Sequence, residues 1–189
     1  PHVEIKIIDP QTKRILPRGE RGELCTRGYS VMLGYWNNEK DTLNAIDRNG
    51  WMHTGDLAIM DDEGYVSIVG RSKDIIIRGG ENISPKEVED FLRKHEGVVD
   101  VQVIGVPSHK YGEEVMAWVI LREGYEDIDA ESLQRYCKGR IATFKTPKYW
   151  KFVAEFPMTV TGKIRKVEMR EISAKELGLD KISGIHTED

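Results

Sequence analysis

The spacing of apolar residues changes near Arg71, and this change limits the folds that the chain can adopt. Before it, short runs of alternating apolar and polar residues, such as residues 3–7, are separated by Gly, Pro and Asp turns. Such alternation is typical of half-buried β-strands. After it, segments with helical spacing follow one another with short apolar runs between them. We therefore predict a β-rich unit over residues 1–72 and a mixed α+β unit over residues 73–189.

The second unit is predicted to be a small α+β domain in which helices pack on a three-stranded sheet. One helix has a clear start, with Ser84 as N-cap, Pro85 in the first turn and Glu87 completing a capping box. Asp129 can cap a second helix, and a last helix is expected over residues 166–177. The three main strands are expected at residues 98–106, 114–121 and 149–156.

Composition restricts the possible partners. A formal net charge of −4 gives no general reason to expect nucleic acid or an anionic membrane. No apolar run approaches the roughly 18 residues that a membrane-spanning helix needs. Cys25 and Cys137 lie far apart with no CxxC pattern, and we interpret them as reduced thiols of an intracellular, cytoplasmic protein. The five histidines show no metal-ligand spacing, so no metal site is predicted.

Residues 70–82, GRSKDIIIRGGEN, lie at the boundary between the two units. Residues 75–77 are three β-branched isoleucines, which predict a short buried strand. Gly79 and Gly80 predict a turn that needs positive φ or a close approach of the backbone to another group. In isolation, the segment is most simply a hairpin preceded by a charged, solvated stretch.

The pattern Trp51-x-x-Thr54-Gly55-Asp56 places a carboxylate after a tight turn at the head of a predicted strand. A carboxylate in this position can accept hydrogen bonds from two neighbouring hydroxyl groups, as recognition of a ribose requires. The alternative is that Asp56 only fixes its own turn.

A further candidate is the polar loop over residues 159–163, in which two threonines and Gly162 precede Lys163. An ammonium on a flexible loop could neutralise a phosphate or carboxylate oxygen of another site. Residues 136–170 contain nine Lys or Arg and two Glu, which favours a polyanionic ligand nearby; solvated lysines explain the pattern equally well. The loop does not match the phosphate-binding pattern GxxxxGK[ST], and the nucleophile motif GxSxG is missing.

Five ordered motifs span nearly the whole chain. They are Gly22-Glu23-Leu24 with Gly28 and Gly34-Tyr35, Trp51-x-x-Thr54-Gly55-Asp56, Gly70-Arg71-Ser72-Lys73-Asp74, Gly80-x-Asn82-Ile83-x-Pro85-x-Glu87-Val88-Glu89 and Thr161-Gly162-Lys163-Ile164-Arg165. Together they resemble the adenylate-forming enzymes, which include acyl-CoA synthetases, peptide-synthetase adenylation domains and luciferases. Residues 70–83 are most similar to AMP-forming medium-chain fatty-acyl-CoA synthetases.

The resemblance implies roles in acyl adenylation for three residues. Lys163 would be catalytic, contacting the acyl carboxylate and the α-phosphate oxygens as charge grows in the transition state. Asp56 would bind the ribose hydroxyls of ATP or AMP, and Arg71 would bind the ribose or a phosphate.

The resemblance also implies that residues 73–189 form a carboxy-terminal lid, with Lys73 as the hinge between two half-reactions. In the second half-reaction Gly79 and Gly80 would line the pantetheine tunnel of CoA, and Glu81 is assigned to the same cofactor site. The family's phosphate loop, its acidic motif for ATP and Mg²⁺, and its acyl pocket would lie upstream of Pro1. Fatty acid, ATP and CoA would then bind through a large domain that is not in this sequence, and the chain alone is expected to be inactive.

Two alternatives to an acyl-CoA ligase remain open from the sequence. The chain could come from an adenylation domain that loads a carrier protein, although no carrier domain with its serine follows residue 189. It could also be a non-catalytic module that binds a nucleotide or CoA, in which case these 189 residues would bind AMP or CoA by themselves.

Overall fold

The computed structural model describes residues 2–182, and its contacts divide the chain into two compact units, Pro1–Lys73 and Asp74–Asp189. The described residues form nine strands: β1 (Val3–Ile8), β2 (Arg21–Gly28), β3 (Met52–Met60), β4 (Val66–Arg71), β5 (Ile76–Arg78), β6 (Glu81–Ile83), β7 (Val98–Ser108), β8 (Gly112–Leu121) and β9 (Tyr149–Phe152). The same residues form four α-helices: α1 (Glu39–Ala45), α2 (Pro85–Leu92), α3 (Ala130–Cys137) and α4 (Lys166–Glu176). No helix among residues 2–182 is long and apolar enough to cross a bilayer.

The first unit is a four-stranded antiparallel sheet with the strand order β1-β2-β3-β4. Its core includes Ile7 and Ile8 at the end of β1, Cys25 on β2 and Leu57 on β3, each at most 6% exposed. Helix α1 lies between β2 and β3. It begins at Asn38, whose side chain accepts a hydrogen bond from the Asp41 amide in the first turn. The β-rich character expected of this part follows from the alternating pattern of its strands.

The second unit has the predicted α+β fold, but its sheet has five strands rather than three. The strand order is β6-β5-β8-β7, and β9 pairs in parallel with β8. The three predicted main strands are β7, β8 and β9, which are neighbours in this sheet. The sheet is larger than predicted because the short β5–β6 hairpin joins it through pairing of Arg78 with Gly112. That pairing joins residues far apart in sequence, so no local pattern reveals it.

Helices cover both faces of this sheet, and alternate residues of β8 point to each face. Val115, Ala117 and Val119 pack with α2 and α3, whereas Met116 and Trp118 pack with α4. On the α4 face, the buried indole N–H of Trp118 donates to the Ser173 hydroxyl at 2.9 Å. Because β8 is buried on both faces, its sequence is a nearly continuous apolar run instead of an alternating one.

Two local predictions in this unit are wrong. Ser84 is the N-cap of α2 but makes no side-chain capping bond, and Glu87 bonds Lys145 at 2.5 Å instead of completing a capping box. The expected buried strand over residues 75–77 is only partly buried, because Ile76 is 1% exposed and Ile77 is 55% exposed. Ile76 and Ile77 lie on β5, in the hairpin at the edge of the sheet, so their side chains face opposite sides, whereas Ile75 precedes the strand.

Candidate functional site

Asp56 and Arg71 form an ion pair on the first unit. They are register partners on β3 and β4, and the Arg71 Nε donates to the Asp56 carboxylate at 2.9 Å. The Arg71 side chain is 68% exposed and that of Asp56 is 30% exposed, so a ligand can reach both groups. A solvent-accessible carboxylate beside a guanidinium can bind hydroxyl groups and anionic oxygens together.

Asp56 lies inside β3, not after a turn at its head as the sequence suggested. The chain makes a bulge here, with Gly55 at φ +71° and a register shift opposite Leu24. The Thr54 hydroxyl fills the gap by donating to the Leu24 carbonyl at 2.8 Å and accepting from the Asp56 amide at 3.1 Å. Bulges reorient side chains next to functional sites, and this one sets the direction of the Asp56 carboxylate.

Gly79 and Gly80 form the turn between β5 and β6, with φ of +59° and +90°. The predicted need for positive φ is therefore met, as a two-residue hairpin turn with positive φ at both positions. The two glycines differ in their surroundings. A Cβ on Gly79 would meet the Tyr111 ring at 3.1 Å, whereas a Cβ on Gly80 would meet nothing within 4 Å. Gly80 is therefore the glycine with open space beside it, and the exposed Glu81 follows it.

The connection between β7 and β8 contacts this turn through Tyr111. The Gly79 amide donates to the Tyr111 carbonyl at 2.8 Å, and the Arg78 guanidinium lies 4.1 Å from the Tyr111 ring centroid. Arg78 also makes two hydrogen bonds to Glu114, at 2.7 and 3.3 Å. The hydrogen bond to Glu114 raises the pKa of Arg78 above its usual range. These contacts fix the position of the glycine turn.

Lys163 lies at the end of a short closed turn. The sequence suggested a flexible loop, but the Thr159 amide donates to the Lys163 carbonyl at 2.8 Å, and the Lys163 amide donates to the Thr159 hydroxyl at 3.0 Å. Gly162 provides the φ of +79° that closes the turn. The Lys163 side chain is exposed, and within residues 2–182 its ammonium has no recorded hydrogen bond or ion pair. The turn therefore presents one positive charge on a defined backbone.

Most of the basic residues between positions 136 and 170 form ion pairs with carboxylates of the folded chain. Six of the nine basic residues between positions 136 and 170 form ion pairs: Lys145 with Glu87, Lys148 with Glu114, Lys151 with Glu176, Arg165 with Glu168, Lys166 with Glu89 and Arg170 with Asp74. Five of those carboxylates lie outside the segment. The local charge excess is thus weak evidence for a polyanionic ligand, because the counter-charges come from elsewhere in the sequence.

Lys73 occupies a 3₁₀ turn, Ser72–Asp74, between β4 and β5, and its side chain is exposed. It is the last residue of the first unit. The next residue, Asp74, is fixed within the second unit by Arg170 of α4, which donates to its carboxylate at 3.0 Å. The sequence places the boundary between residues 72 and 73. The structure divides the chain one position later, between residues 73 and 74.

The predicted site residues form the Asp56–Arg71 pair in the first unit and, in the second unit, the Gly79-Gly80-Glu81 turn and the Lys163 turn. Within the described part of the second unit, no hydrogen bond or ion pair joins Lys163 to the glycine turn. Their roles in binding and catalysis stay predictions.

One cluster was missed from the sequence. Glu23, Cys25 and His53 each place one possible metal ligand atom within 4.8 Å of the others. Glu23 and Cys25 are buried, and burial raises the pKa of the Cys25 thiol to about 11, with the Glu23 carboxylate acting in the same direction. The residues come from two strands, so sequence spacing gave no signal.

Comparison with known proteins identifies the family. The profile described as "AMP-binding enzyme C-terminal domain" matches residues 87–163, and the profile described as "AMP-binding enzyme" matches residues 1–36. The chain is 52% identical over 171 residues to the putative acyl-CoA synthetase YngI of Bacillus subtilis, covering 90% of this chain and 31% of YngI. It is 49% identical over 179 residues to the mitochondrial medium-chain acyl-CoA ligase ACSF2 of Danio rerio, covering 95% of this chain and 29% of that protein.

The fold agrees with this relationship. An ATP-bound crystal structure of MatB from Rhodopseudomonas palustris superposes with a TM-score of 0.87 at 38% identity, covering 94% of this chain and 35% of MatB. The chain spans about three tenths of the length of the two curated relatives. The predicted resemblance is confirmed, and the chain belongs to the AMP-binding, adenylate-forming enzymes, of which it carries the C-terminal domain.

Proposed function

We propose that this chain is the carboxy-terminal part of an ATP-dependent, AMP-forming acyl-CoA ligase that acts on fatty acids. The observation that carries the proposal is the exposed Lys163 on its closed turn, at the last residue matched by the family's C-terminal domain. The acyl-CoA synthetase and ligase names of relatives 52% and 49% identical support the choice of reaction within the family. The medium-chain ligase name of ACSF2 supports a fatty acid as the substrate.

The first half-reaction is acyl adenylation. A carboxylate oxygen of the acid attacks the α-phosphorus of ATP, and pyrophosphate leaves with the electron pair of the broken bond. Lys163 supplies a positive charge to the acyl carboxylate and α-phosphate oxygens, where negative charge increases in the transition state. Asp56 accepts hydrogen bonds from the ribose hydroxyls, and Arg71 binds the ribose or a phosphate. Mg²⁺ would be held by residues outside this chain and would neutralise the phosphates.

The second half-reaction is transfer of the acyl group to CoA. The CoA thiol, after losing its proton, attacks the acyl carbon, and AMP leaves. The Gly79-Gly80 turn, with Glu81 beside it, lines the path of the pantetheine arm, and Gly80 has open space where a side chain would be. Lys73 serves as the hinge between the half-reactions, with residues 1–72 as the end of the large domain and residues 73–189 as the lid.

The role of Lys163 is tested in the full-length protein with the variant Lys163→Ala. We expect pyrophosphate release with a series of fatty acids and ATP to fall by about 10²-fold or more, the loss typical of removing one transition-state donor. Lys138→Ala is the matched control, because Lys138 is an exposed lysine of the same unit with no recorded ion pair within residues 2–182. Unchanged pyrophosphate release by Lys163→Ala would contradict the assignment.

The acceptor is tested by offering the acyl-adenylate CoA or a carrier protein. Acyl-CoA formation supports the proposal, and acylation of a carrier protein alone would place the chain in a carrier-loading adenylation domain. We also propose that the 189-residue chain has no ligase activity alone. Calorimetric titration of this chain with AMP and with CoA distinguishes a fragment, which binds neither, from an autonomous binding module.

We propose a cytoplasmic location, supported by the two unpaired, buried cysteines, which suit a reducing compartment. The ACSF2 relatives are named as mitochondrial, so the mitochondrion is the alternative location. Fractionation of cells that express the full-length protein distinguishes the two, and recovery in the mitochondrial fraction would contradict the proposal.

A further inference from the structure

We propose that Glu23, Cys25 and His53 form a binding site for one divalent transition-metal ion, with Zn²⁺ as the ion best suited to the donor set. The site lies on the sheet of the first unit and does not depend on the adenylation chemistry proposed above. The sequence predicted no metal site, because these ligands become neighbours only when β2 pairs with β3.

The sheet holds the three side chains in place before any ion arrives. Glu23 and Cys25 are two apart on β2 and therefore lie on the same face of the strand. His53 is the direct register partner of Cys25 on β3. Ligands on the strands of a sheet are better positioned for metal binding than ligands on loops.

The observed distances suit one ion at the centre of the cluster. The His53 Nδ1 lies 3.2 Å from the Glu23 Oε2 and 3.6 Å from the Cys25 Sγ. Tetrahedral zinc, with the usual Zn–N, Zn–O and Zn–S bond lengths, gives separations of about 3.3 Å and about 3.6 Å for these pairs. The remaining separation, between sulfur and the carboxylate oxygen, is at most 4.8 Å and must shorten by about 1 Å. Binding of an ion therefore requires the Glu23 carboxylate and the Cys25 Sγ to move closer together.

The His53 Nδ1 cannot donate to Glu23 and accept from the Cys25 thiol in the same tautomer. If the His53 Nδ1 carries a proton, it donates to Glu23, and the Cys25 thiol then has no acceptor on the imidazole. If Nδ1 carries no proton, it can accept from the thiol, but its lone pair then faces the carboxylate oxygen at 3.2 Å. A cation binds the lone pairs of sulfur, nitrogen and oxygen at once. The donor set of thiolate, imidazole and carboxylate is one that Zn²⁺ commonly takes.

Lys13 is the existing counter-charge of the cluster and competes with a metal ion. Its ammonium lies 3.5 Å from the Glu23 Oε2, and its side chain is 58% exposed. Because the lysine is mostly in solvent, it can move away when an ion binds. The His53 side chain is 20% exposed, so water can reach the fourth coordination position. Three protein ligands plus one open position is the arrangement of many zinc sites.

The test is titration of the 189-residue chain with Zn²⁺ by calorimetry and with Co²⁺ by absorption spectroscopy. We expect one ion per chain and a thiolate-to-cobalt charge-transfer band. Cys25→Ser should abolish the band, and Cys137→Ser, which changes the other buried cysteine, should retain it. His53→Gln should weaken binding by at least about tenfold.

The variant Lys13→Met tests the proposal without changing any of the three metal-coordinating side chains. Because it deletes the competing ammonium, it should tighten Zn²⁺ binding several-fold, whereas a cluster that does not bind metal predicts no change. Circular dichroism of each variant confirms that the fold is kept. The proposal is overturned if the native chain binds no Zn²⁺ at micromolar concentration, or if binding persists unchanged in both Cys25→Ser and His53→Gln.

Discussion

Replacing Glu114 with Gln should destabilise the second unit far more than breaking an exposed ion pair. Glu114 is 4% exposed and accepts both hydrogen bonds of Arg78, which is 22% exposed. Glutamine keeps the shape of the side chain but removes the negative charge. The Arg78 guanidinium, which is only 22% exposed and lies against the Tyr111 ring, then keeps its positive charge without a carboxylate partner.

The magnitude follows from burial. Removing one partner of a fully buried pair costs about 3–5 kcal/mol. Arg78 can recover part of its hydration, and the glutamine oxygen still accepts one hydrogen bond, so we expect a loss of about 2–3 kcal/mol in unfolding free energy. Glu131→Gln is the control, because Glu131 and Arg135 are 76% and 64% exposed. That change should cost less than about 0.5 kcal/mol.

The measurement is urea unfolding followed by tryptophan fluorescence. The background substitutions Trp36→Phe and Trp51→Phe leave Trp118 and Trp150 of the second unit as the only tryptophans. Equal losses for Glu114→Gln and Glu131→Gln would refute the reasoning. Addition of Arg78→Met to Glu114→Gln should recover at least about 1 kcal/mol relative to additive effects, because the two side chains interact directly.

Three other changes test separate features. Gly79→Ala should destabilise the chain more than Gly80→Ala by about 1 kcal/mol in urea unfolding, because both glycines have positive φ but only Gly79 faces Tyr111. Adding Tyr111→Ala to each variant should reduce this difference in unfolding free energy. An unchanged difference would contradict a role for the Tyr111 contact. Burial raises the pKa of the Cys137 thiol to about 11, so the unfolded chain loses this proton at lower pH than the folded chain. The unfolding free energy of the native sequence should therefore fall by about 1–3 kcal/mol relative to Cys137→Ala between pH of about 9 and about 11, and equal pH slopes would argue against it. Ser173→Ala removes the acceptor of a buried indole N–H and should cost about 1–3 kcal/mol in thermal unfolding, whereas a loss below about 0.5 kcal/mol would show that the donor finds another partner.

Features encoded by neighbouring residues could be predicted from the sequence. Asp129 caps α3 as expected, in a reciprocal capping box with Ser132, because all the atoms involved lie within one turn of the chain. The Gly79-Gly80 turn was predictable for the same reason, since the backbone conformation requires glycine there.

Features that depend on distant residues could not be predicted. Glu87 had the spacing of a capping box, but Lys145, which comes 58 residues later, binds its carboxylate. The bulge at Gly55 depends on the register between two strands, and the Glu23–Cys25–His53 cluster depends on the same pairing. Lys163 and Asp56 are candidates from the sequence alone, but the turn and the bulge that orient them became visible only in the structure.

The parallel pairing of β9 with β8 has a consequence for the order of folding. Strands β7 and β8 are joined by a short connection, so they can pair early with little loss of chain entropy. Strand β9 can join only after residues 122–148 have closed into a crossover, and such non-local pairing is slow. We expect pulsed hydrogen exchange during refolding to protect the amides of β7 and β8 before that of Lys151. Simultaneous protection would contradict this order, and until β9 docks, one edge of β8 is open to pairing with another chain.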